Sequence, residues 1–123
     1  MKKTGLGVQG ENLALDYLKK KGYKILARNF ISRFGEIDII ASNKSYLCFV
    51  EVKTRRPKFI AYGRESVTLS KQQKIIKTAE YYIVKNAYLV EKLKLQPRFD
   101  CIEIYVDNSG ELTEINHYEN AFS

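Results

Sequence analysis

The sequence of 123 residues is poor in the residue types that build zinc sites and membrane spans. It contains two cysteines, one histidine, two prolines and no tryptophan. Two cysteines with one histidine cannot complete a tetrahedral zinc site, so we expect Cys48 and Cys101 to be small core residues. No long apolar run occurs, and the basic start leads into an amphipathic stretch that carries Glu11 and Asp16. This pattern predicts neither a signal peptide nor a membrane span, which makes the cytoplasm the default location.

Repeats, low-complexity tracts and linkers between domains are also lacking. A chain of this length can bury one hydrophobic core without disulfides or structural metals. We therefore expect a single domain over residues 1–123, with its core over about residues 7–118.

Acidic residues are scarce in one segment of this basic protein. Between Lys53 and Lys77 the only acid is Glu65, and the segment carries a net charge of +7, equal to that of the whole chain. Its basic residues are Lys53, Arg55, Arg56, Lys58, Arg64, Lys71, Lys74 and Lys77. A cluster of this kind is typical of a surface that binds a nucleic-acid backbone. The alternative is a solvated helix face that only aids solubility.

Two apolar strands carry acids, which are costly near a core unless they are paired or hold a metal. The segments are Gly35-Glu36-Ile37-Asp38 and Phe49-Val50-Glu51-Val52-Lys53. The alternation of side chains along a strand places Glu51 and Lys53 on one face, and Glu36 with Asp38 on one face while Ile37 and Ile39 point away. The polar residues 42–45 between the segments predict a hairpin that brings the acids together.

The turn of this hairpin decides how the acids meet. With Asn43 and Lys44 at its centre, Asp38 lies opposite Phe49 and diagonal to Glu51. A loop two residues longer places Asp38 directly opposite Glu51. In either register the two side chains are about 5–8 Å apart.

Asp38 and Glu51 at that separation offer the hard oxygen ligands that Mg²⁺ prefers. Lys53 beside them can orient or activate a water nucleophile and can stabilise negative charge that develops at a phosphorus centre. The alternative interpretation is a surface ion pair between Glu51 and Lys53.

Periodicity predicts an α/β chain with the order α-β-β-β-α-β-β. The expected helices cover residues 7–21 and 70–85, with Ser70 capping the second, and the expected strands cover 23–30, 36–41, 46–54, 97–106 and 111–118. We expect residues 55–66 to form a loop between strand and helix; residues 57–66 lie outside the part of the chain that the structure describes. Lys71 and Gln73 begin the second helix near this loop, and its positive N-terminal end favours a phosphate, so we expect that either side chain can join the site. We expect His117 at the surface.

The order of an acid, an aspartate and then Glu-x-Lys resembles that of the restriction-endonuclease-like PD-(D/E)XK superfamily. More closely, residues 7–104 are similar to the YraN family of bacterial proteins. The similarity is carried by Gly10-Glu11, Ala14, Tyr17-Leu18, Gly22-Tyr23, Arg28-Asn29, Gly35-Glu36-Ile37-Asp38, Phe49-Val50-Glu51-Val52-Lys53-Thr54-Arg55, Lys71 and Arg98-Phe99-Asp100. Ile37 stands where the superfamily's name has proline, and any residue that holds the strand serves there.

The resemblance implies a restriction-endonuclease-like core, similar to that of archaeal Holliday-junction resolvases, with helices packed on a mixed central sheet of about five strands. It implies that Glu11, Asp38, Glu51 and Lys53 occupy the active-site positions and that Mg²⁺ or Mn²⁺ is the cofactor. Without the resemblance, Glu11 in a first helical turn is better explained as complementing the helix dipole.

The sequence therefore favours a metal-dependent endonuclease that hydrolyses DNA phosphodiester bonds, with branched or structured DNA as a candidate substrate. Its metal ligands are Asp38 and Glu51, and its nucleic-acid-binding residues are Arg55, Arg56, Lys58, Arg64, Lys71, Gln73 and Lys74. The alternative is a non-catalytic nucleic-acid-binding module that retains the nuclease fold. Residues 100–123 carry six acids and no lysine or arginine, and an exposed strand there gives a homodimer as a further expectation.

Overall fold

The structure, a computed structural model, describes residues 5–56 and 67–122. Over these ranges the chain forms three helices and five strands. They are, in chain order, α1 (Gly5–Lys20), β1 (Lys24–Ser32), β2 (Gly35–Ser42), β3 (Tyr46–Arg55), α2 (Leu69–Lys85), α3 (Ala87–Leu93), β4 (Gln96–Val106) and β5 (Leu112–Phe122).

The strands lie in one mixed sheet with the spatial order β1-β2-β3-β4-β5. Neighbouring strands are antiparallel except β3 and β4, which are parallel. A parallel pair requires a long crossover, and here α2 and α3 lie within it. The predicted α/β chain with a mixed five-stranded sheet is confirmed. Among the described residues, no helix combines the length and the apolar character that crossing a membrane requires.

The short helix α3 was not predicted, and its absence from the expected element order is an error. None of its seven residues is buried. Without a buried stripe the segment has no helical hydrophobic periodicity, and such periodicity is what indicates a helix in a sequence. The predicted cap of α2 is also two residues late. Thr68, not Ser70, is the N-cap, and its side-chain oxygen accepts a hydrogen bond from the backbone N–H of Lys71 at 3.2 Å.

Two hydrophobic clusters cover the two faces of the sheet. The cluster under α1 contains Ala14, Leu15, Leu18, Tyr23, Ile39, Ala41, Cys48, Val50, Ile102, Ile104 and Val106. The cluster under α2 contains Ile37, Ile40, Leu47, Phe49, Val67, Ile75, Ala79, Tyr82 and Leu95. The alternation predicted for β3 is confirmed, because Cys48 and Val50 face α1 whereas Leu47 and Phe49 face α2. Cys48 is buried and Cys101 half-buried, and burial raises the pKa of both thiols, to about 12 and about 11.

The alternation predicted for β2 fails at Asp38. Ile37 packs in the cluster under α2, whereas Ile39 packs in the cluster under α1. The partner strand breaks at the same level, where Asn29 has a φ of 51° between residues paired with Ile39 and Ile37. Asparagine is one of the few residues that adopt this left-handed conformation readily. Asp38 and Asn29 thus lie at a point where the side-chain alternation of both paired strands is interrupted. The regular two-residue period could not predict this interruption.

Asp100 in β4 organises a buried polar network that links α1, β4, β5 and the turn between α1 and β1. Arg98 donates to both of its carboxylate oxygens at 2.9 and 2.8 Å, and the Arg98 guanidinium also donates to the Tyr23 hydroxyl at 2.7 Å. His117 Nε2 lies 2.7 Å from the same carboxylate, while its Nδ1 lies 3.0 Å from the Tyr17 hydroxyl. The expectation that His117 is a surface residue is wrong. These hydrogen bonds hold the pKa of Asp100 below its usual value despite burial.

Gly10 in α1 is where the helix comes closest to the sheet. A Cβ atom at this position would lie 1.8 Å from Oγ1 and 2.8 Å from Cβ of Thr54 in β3. We predict that Gly10→Ala lowers the free energy of unfolding by about 1–3 kcal/mol, because α1 must move away from β3. Urea denaturation measures the change.

Gly5→Ala in the same helix is the matched control, since nothing lies within 4 Å of a Cβ placed there. Alanine is favoured over glycine in a helix by about 1 kcal/mol at most, so this variant should be neutral or slightly more stable. Equal destabilisation by both substitutions would contradict the close approach at Gly10.

Candidate active site

The pairing of β2 with β3 stops at the two acids. The last residues in register are Ile39 and Val50, and continuing that register by one places Asp38 directly opposite Glu51. Of the two predicted registers, the one with the longer loop is therefore correct. Beyond the last pair, Oδ2 of Asp38 accepts a hydrogen bond from the backbone N–H of Val52 at 2.8 Å. The Asp38 carboxylate thus replaces the strand partner that this amide would otherwise have.

The longer loop depends on the side chain of Asn43. Its Oδ1 atom accepts hydrogen bonds from the backbone N–H groups of Ser45 and Tyr46 at 2.9 and 2.7 Å. Asparagine commonly closes turns in this way. These bonds set the register of the hairpin and hence bring the two acids face to face.

Glu51 and Asp38 form a pair of carboxyl groups that face each other just beyond the last β2–β3 pair. Both are buried. Burial raises the pKa of Glu51 to about 7, the negative charge of Asp38 acts in the same direction, and the Lys71 ammonium opposes both. Two carboxylates in a shared, poorly solvated space cannot both ionise easily unless positive charge is brought to them.

Two lysines supply positive charge to Glu51. Nζ of Lys71 contacts Oε2 of Glu51, and Nζ of Lys53 lies 3.9 Å from the same oxygen. Lys53 projects from β3, two residues after Glu51 and on the same face, as the sequence predicted. Lys71 comes from the first turn of α2 on the other side of the cavity.

These residues line a cavity of about 970 Å³. Asp38 and Glu51 lie in its lining together with Glu36 and Lys53. The lining also includes Arg33 and Phe34 at the tip of the β1–β2 hairpin. The N-terminal part of α2 and its cap contribute Thr68, Ser70, Lys71 and Lys74. The sequence grouped Glu36, Asp38, Glu51 and Lys53 correctly in space.

The donor set fits a divalent cation that is shared with a substrate. Within residues 5–56 and 67–122, no three His, Cys, Asp or Glu side chains are close enough to hold a metal ion by themselves. Mg²⁺, however, is commonly bound through one or two carboxylates, with water and substrate phosphate as the other ligands. Asp38 and Glu51 provide such a pair. Burial first, and then the negative charge of Asp38, raises the pKa of Glu51 to about 7.

Glu11 is not among the described residues that line the cavity. It is 1% exposed and lies on the buried face of α1, with Oε1 3.4 Å from Nε of Arg28 in β1. Its burial exceeds what was expected of a residue at the edge of the buried stripe. Its assignment to the active site stays a prediction.

The residues predicted to bind nucleic acid fall into three groups. Lys71 and Lys74 line the cavity. Gln73, also on α2, is exposed and is not among the described lining residues. Arg55 and Arg56 are half-buried; Nε of Arg55 lies 3.6 Å from Glu103, and Arg56 donates to the backbone carbonyl of Asp107 at 3.2 Å. Lys58 and Arg64 lie outside the described residues.

Glu103 in β4 is a buried acid that sequence reasoning missed. In the parallel pairing it is the partner of Lys53, and its Oε1 atom accepts hydrogen bonds from the hydroxyls of Tyr105 and Tyr118 at 3.0 and 3.3 Å. The available signal was the one that revealed Glu51, namely an acid between apolar residues of a strand. Here those residues are Ile102 and Ile104.

Comparison with known sequences gives a consistent family match. The profile of the uncharacterised protein family UPF0102 matches residues 10–104. A UPF0102 protein of Caldanaerobacter subterraneus subsp. tengcongensis is 48% identical over 98% of this chain and 96% of its own length. Similar proteins of Caldicellulosiruptor saccharolyticus and Clostridium botulinum are 42% and 43% identical, over 99% and 95% of this chain and 100% and 93% of theirs. UPF0102 is the YraN family, so that resemblance is confirmed.

The raised pKa of Glu51 predicts a specific pH dependence of stability. A folded-state pKa of about 7 against an ordinary 4.5 means that the contribution of Glu51 to stability is fully present below pH 4.5 and is lost as the pH rises through 7. The Glu51→Gln variant has no such loss. We therefore predict that the stability of Glu51→Gln relative to wild type rises by about 1–3 kcal/mol between pH 5 and pH 8.

Urea unfolding of both proteins at the two pH values measures this difference, and titrations of all distant groups cancel in the comparison. Asp16→Asn, an exposed acid on α1, is the matched control and should show little change in the same comparison. A difference between Glu51→Gln and wild type that does not vary with pH would contradict the environment described for Glu51.

Proposed function

The chain belongs to the uncharacterised protein family UPF0102, whose name states no activity. From the geometry of the site, we propose that it is a metal-dependent endonuclease hydrolysing phosphodiester bonds in DNA. The proposal includes the restriction-endonuclease-like assignment of the core, Mg²⁺ or Mn²⁺ as cofactor and a cytoplasmic location. Branched or otherwise structured DNA is the substrate form that we would test first.

One observation carries the proposal: two buried carboxylates and two lysines converge on one open cavity. A structural ion pair needs one acid and one base, and it gains nothing from a second acid within hydrogen-bonding distance. Burial raises the pKa of Glu51, and the negative charge of Asp38 raises it further, so ionising both acids is unfavourable. Arrangements that cost stability are typical of sites that do chemistry.

Asp38 and Glu51 are the residues that would hold the divalent cation. Asp38 is fixed by the backbone N–H of Val52 through one oxygen. When bound, the cation supplies Lewis-acid polarisation of a phosphate oxygen and lowers the pKa of a bound water. Both carboxylates are carried on strands of the sheet, so their positions do not depend on a mobile loop.

Lys53 is the residue that would act on the reacting atoms. Its Nζ atom is 3.9 Å from Glu51 and its side chain is 22% exposed, so the ammonium group reaches the cavity from the sheet. From there it can orient the attacking water and stabilise the charge that develops on the non-bridging phosphate oxygens. The water oxygen would bond to phosphorus and lose one proton to solvent, while the bond to the bridging oxygen breaks; that oxygen would leave with the electron pair and take one proton from solvent.

The lip of the cavity supports binding of a phosphate backbone. Lys71 and Lys74 project from the N-terminal part of α2, and Arg33 lies across the cavity at the β1–β2 tip. A helix N-terminus adds a favourable electrostatic contribution for phosphate. Such contacts provide affinity and carry no sequence information, which agrees with an enzyme that recognises DNA by shape.

We predict that Glu51→Ala and Lys53→Ala each abolish metal-dependent cleavage while the protein remains folded. Labelled linear, flap and four-way-junction DNA would be incubated with Mg²⁺, Mn²⁺ or EDTA, and products separated by denaturing electrophoresis. Loss of a group that acts in the transition state lowers the rate by about 10²–10⁴-fold. Circular dichroism and urea unfolding establish that each variant folds.

Lys77→Ala is the matched control, because Lys77 belongs to the same basic segment and is exposed, yet it is not among the described residues of the cavity. This variant should cleave at a rate close to that of wild type. Full activity of both site variants would overturn the proposal and would reveal a contaminating nuclease. Salt-dependent DNA binding without cleavage on any substrate would replace the enzyme with the non-catalytic binding module.

A further inference from the structure

We propose that Lys71 is an internal counter-cation of the Asp38–Glu51 pair, which a divalent cation displaces and which then binds a phosphate of the nucleic acid. The inference rests on the proposed function, because the displacing ion is the one that the two carboxylates would hold. It adds a regulatory property of the same site. Without a metal ion Lys71 neutralises the carboxylates, and with a metal ion it binds a phosphate.

The Lys71 ammonium occupies the place that a bound cation would need. Nζ of Lys71 contacts Oε2 of Glu51, an oxygen of a side chain that is only 4% exposed. Asp38 lies opposite Glu51, just beyond the last β2–β3 pair of Ile39 with Val50. A cation bound by both carboxylates must lie against the same oxygens, so the ammonium and the metal ion compete for one place.

Lys71 and Lys53 differ in their exposure and in the element that carries them. Lys53 is anchored on β3 within the paired sheet, and its Nζ atom is 3.9 Å from Oε2 of Glu51. Lys71 is 45% exposed, lies in the first turn of α2 and reaches the acids from the lip of the cavity. Its long flexible stem can swing outward without a change in the backbone. Of the two lysines, Lys71 is the more exposed, and its movement into solvent requires no change in the sheet.

The other buried acids are paired with a different kind of residue. Glu11, Asp100 and Glu103 lie beside Arg28, Arg98 and Arg55. Arginine has a planar fork that fixes carboxylate geometry through several hydrogen bonds, whereas the lysine ammonium is a compact point charge. A point charge is readily replaced by another cation. Asp100 accepts two such hydrogen bonds from Arg98, whereas Arg28 lies 3.4 Å from Glu11 and Arg55 lies 3.6 Å from Glu103. The lysine contact thus sets Glu51 apart from Asp100, the acid that an arginine holds through two hydrogen bonds.

The cavity wall next to Lys71 offers the released ammonium a new partner. Lys71 belongs to the turn that begins at the Thr68 cap, and Lys74 lies one turn further along the same wall. The positive end of α2 and Lys74 together attract a phosphate to this wall. An ammonium that moves outward from Glu51 meets that phosphate, so metal loading strengthens the binding of nucleic acid.

The test measures metal affinity directly, with no nucleic acid present. Mn²⁺ would be titrated into wild type, Lys71→Met and Lys74→Met, and free Mn²⁺ followed by its electron paramagnetic resonance signal. We expect Lys71→Met to bind Mn²⁺ about tenfold more tightly than wild type, since it removes a competing charge in contact with a ligand. Lys74→Met, which removes the same charge from the same cavity wall, should change affinity less than about threefold.

A second measurement tests the new role of the released lysine. Binding of a four-way junction would be followed by fluorescence anisotropy at several salt concentrations, with Ca²⁺ as the divalent cation or with EDTA. In Ca²⁺, Lys71→Met should reduce the slope of log K against log salt by about 1, the loss of one phosphate contact. In EDTA, where Lys71 stays on Glu51, the slope should not change. Lys71→Gln serves if the methionine variant does not fold.

The outcomes separate the inference from the function on which it rests. Equal Mn²⁺ affinities of wild type and Lys71→Met, or equal gains from Lys71→Met and Lys74→Met, would overturn the exchange while leaving a metal-binding nuclease in place. No Mn²⁺ binding by wild type or either variant would overturn both. A selective gain in Lys71→Met without cleavage by wild type would support the exchange and overturn the enzyme.

Discussion

The structure depends on the requirement that each buried carboxylate be brought together with positive charge or hydrogen-bond donors. Asp100 meets it with Arg98, His117 and the backbone N–H of Asn120, and so connects β4 to β5 and to Tyr23 beyond α1. A buried acid that loses its partner costs several kcal/mol, about as much as a large cavity in the core. These pairs therefore fix the positions of strands as firmly as the apolar packing does.

Asp38 and Glu51 satisfy the same requirement only in part. The β2–β3 ladder opens at Ile39 and Val50, and the opening places two acids in the gap with lysines as their cations. Opening the ladder there is possible because Asp38 takes over the Val52 amide. The same side chain thus ends the pairing of the strands and enters the site. This dual use ties the geometry of the site to the geometry of the sheet, since a shift of either strand would move both carboxylates.

Features that arise from local periodicity were predictable from the sequence, whereas features that arise from contacts distant in the chain were not. The face shared by Glu51 and Lys53 is a property of one strand, and it was correct. The reversal at Asp38 needs the left-handed Asn29 on a neighbouring strand, and the burial of His117 needs Asp100 and Tyr17; neither is visible in a local pattern. The choice between two hairpin registers depended on a side-chain hydrogen bond of Asn43, which composition alone does not decide. The restriction-endonuclease-like assignment and the roles of the site residues stay predictions.

The strand order separates the acidic and basic segments of the chain in space. The acids Glu111, Glu114 and Glu119 lie in or beside β5 at one edge of the sheet, whereas the cavity lies between the β1–β2 tip and α2, toward the other edge. Under the proposed function, the acids at the β5 edge would repel a phosphate backbone and the lysines at the cavity would attract it, so this distribution of charge would orient a nucleic acid before contact. The same acids weaken any pairing of two β5 edges, because like charges on neighbouring strands destabilise such a pair. A homodimer, if it forms, is therefore better served by another surface than by the acidic strand on which the expectation rests.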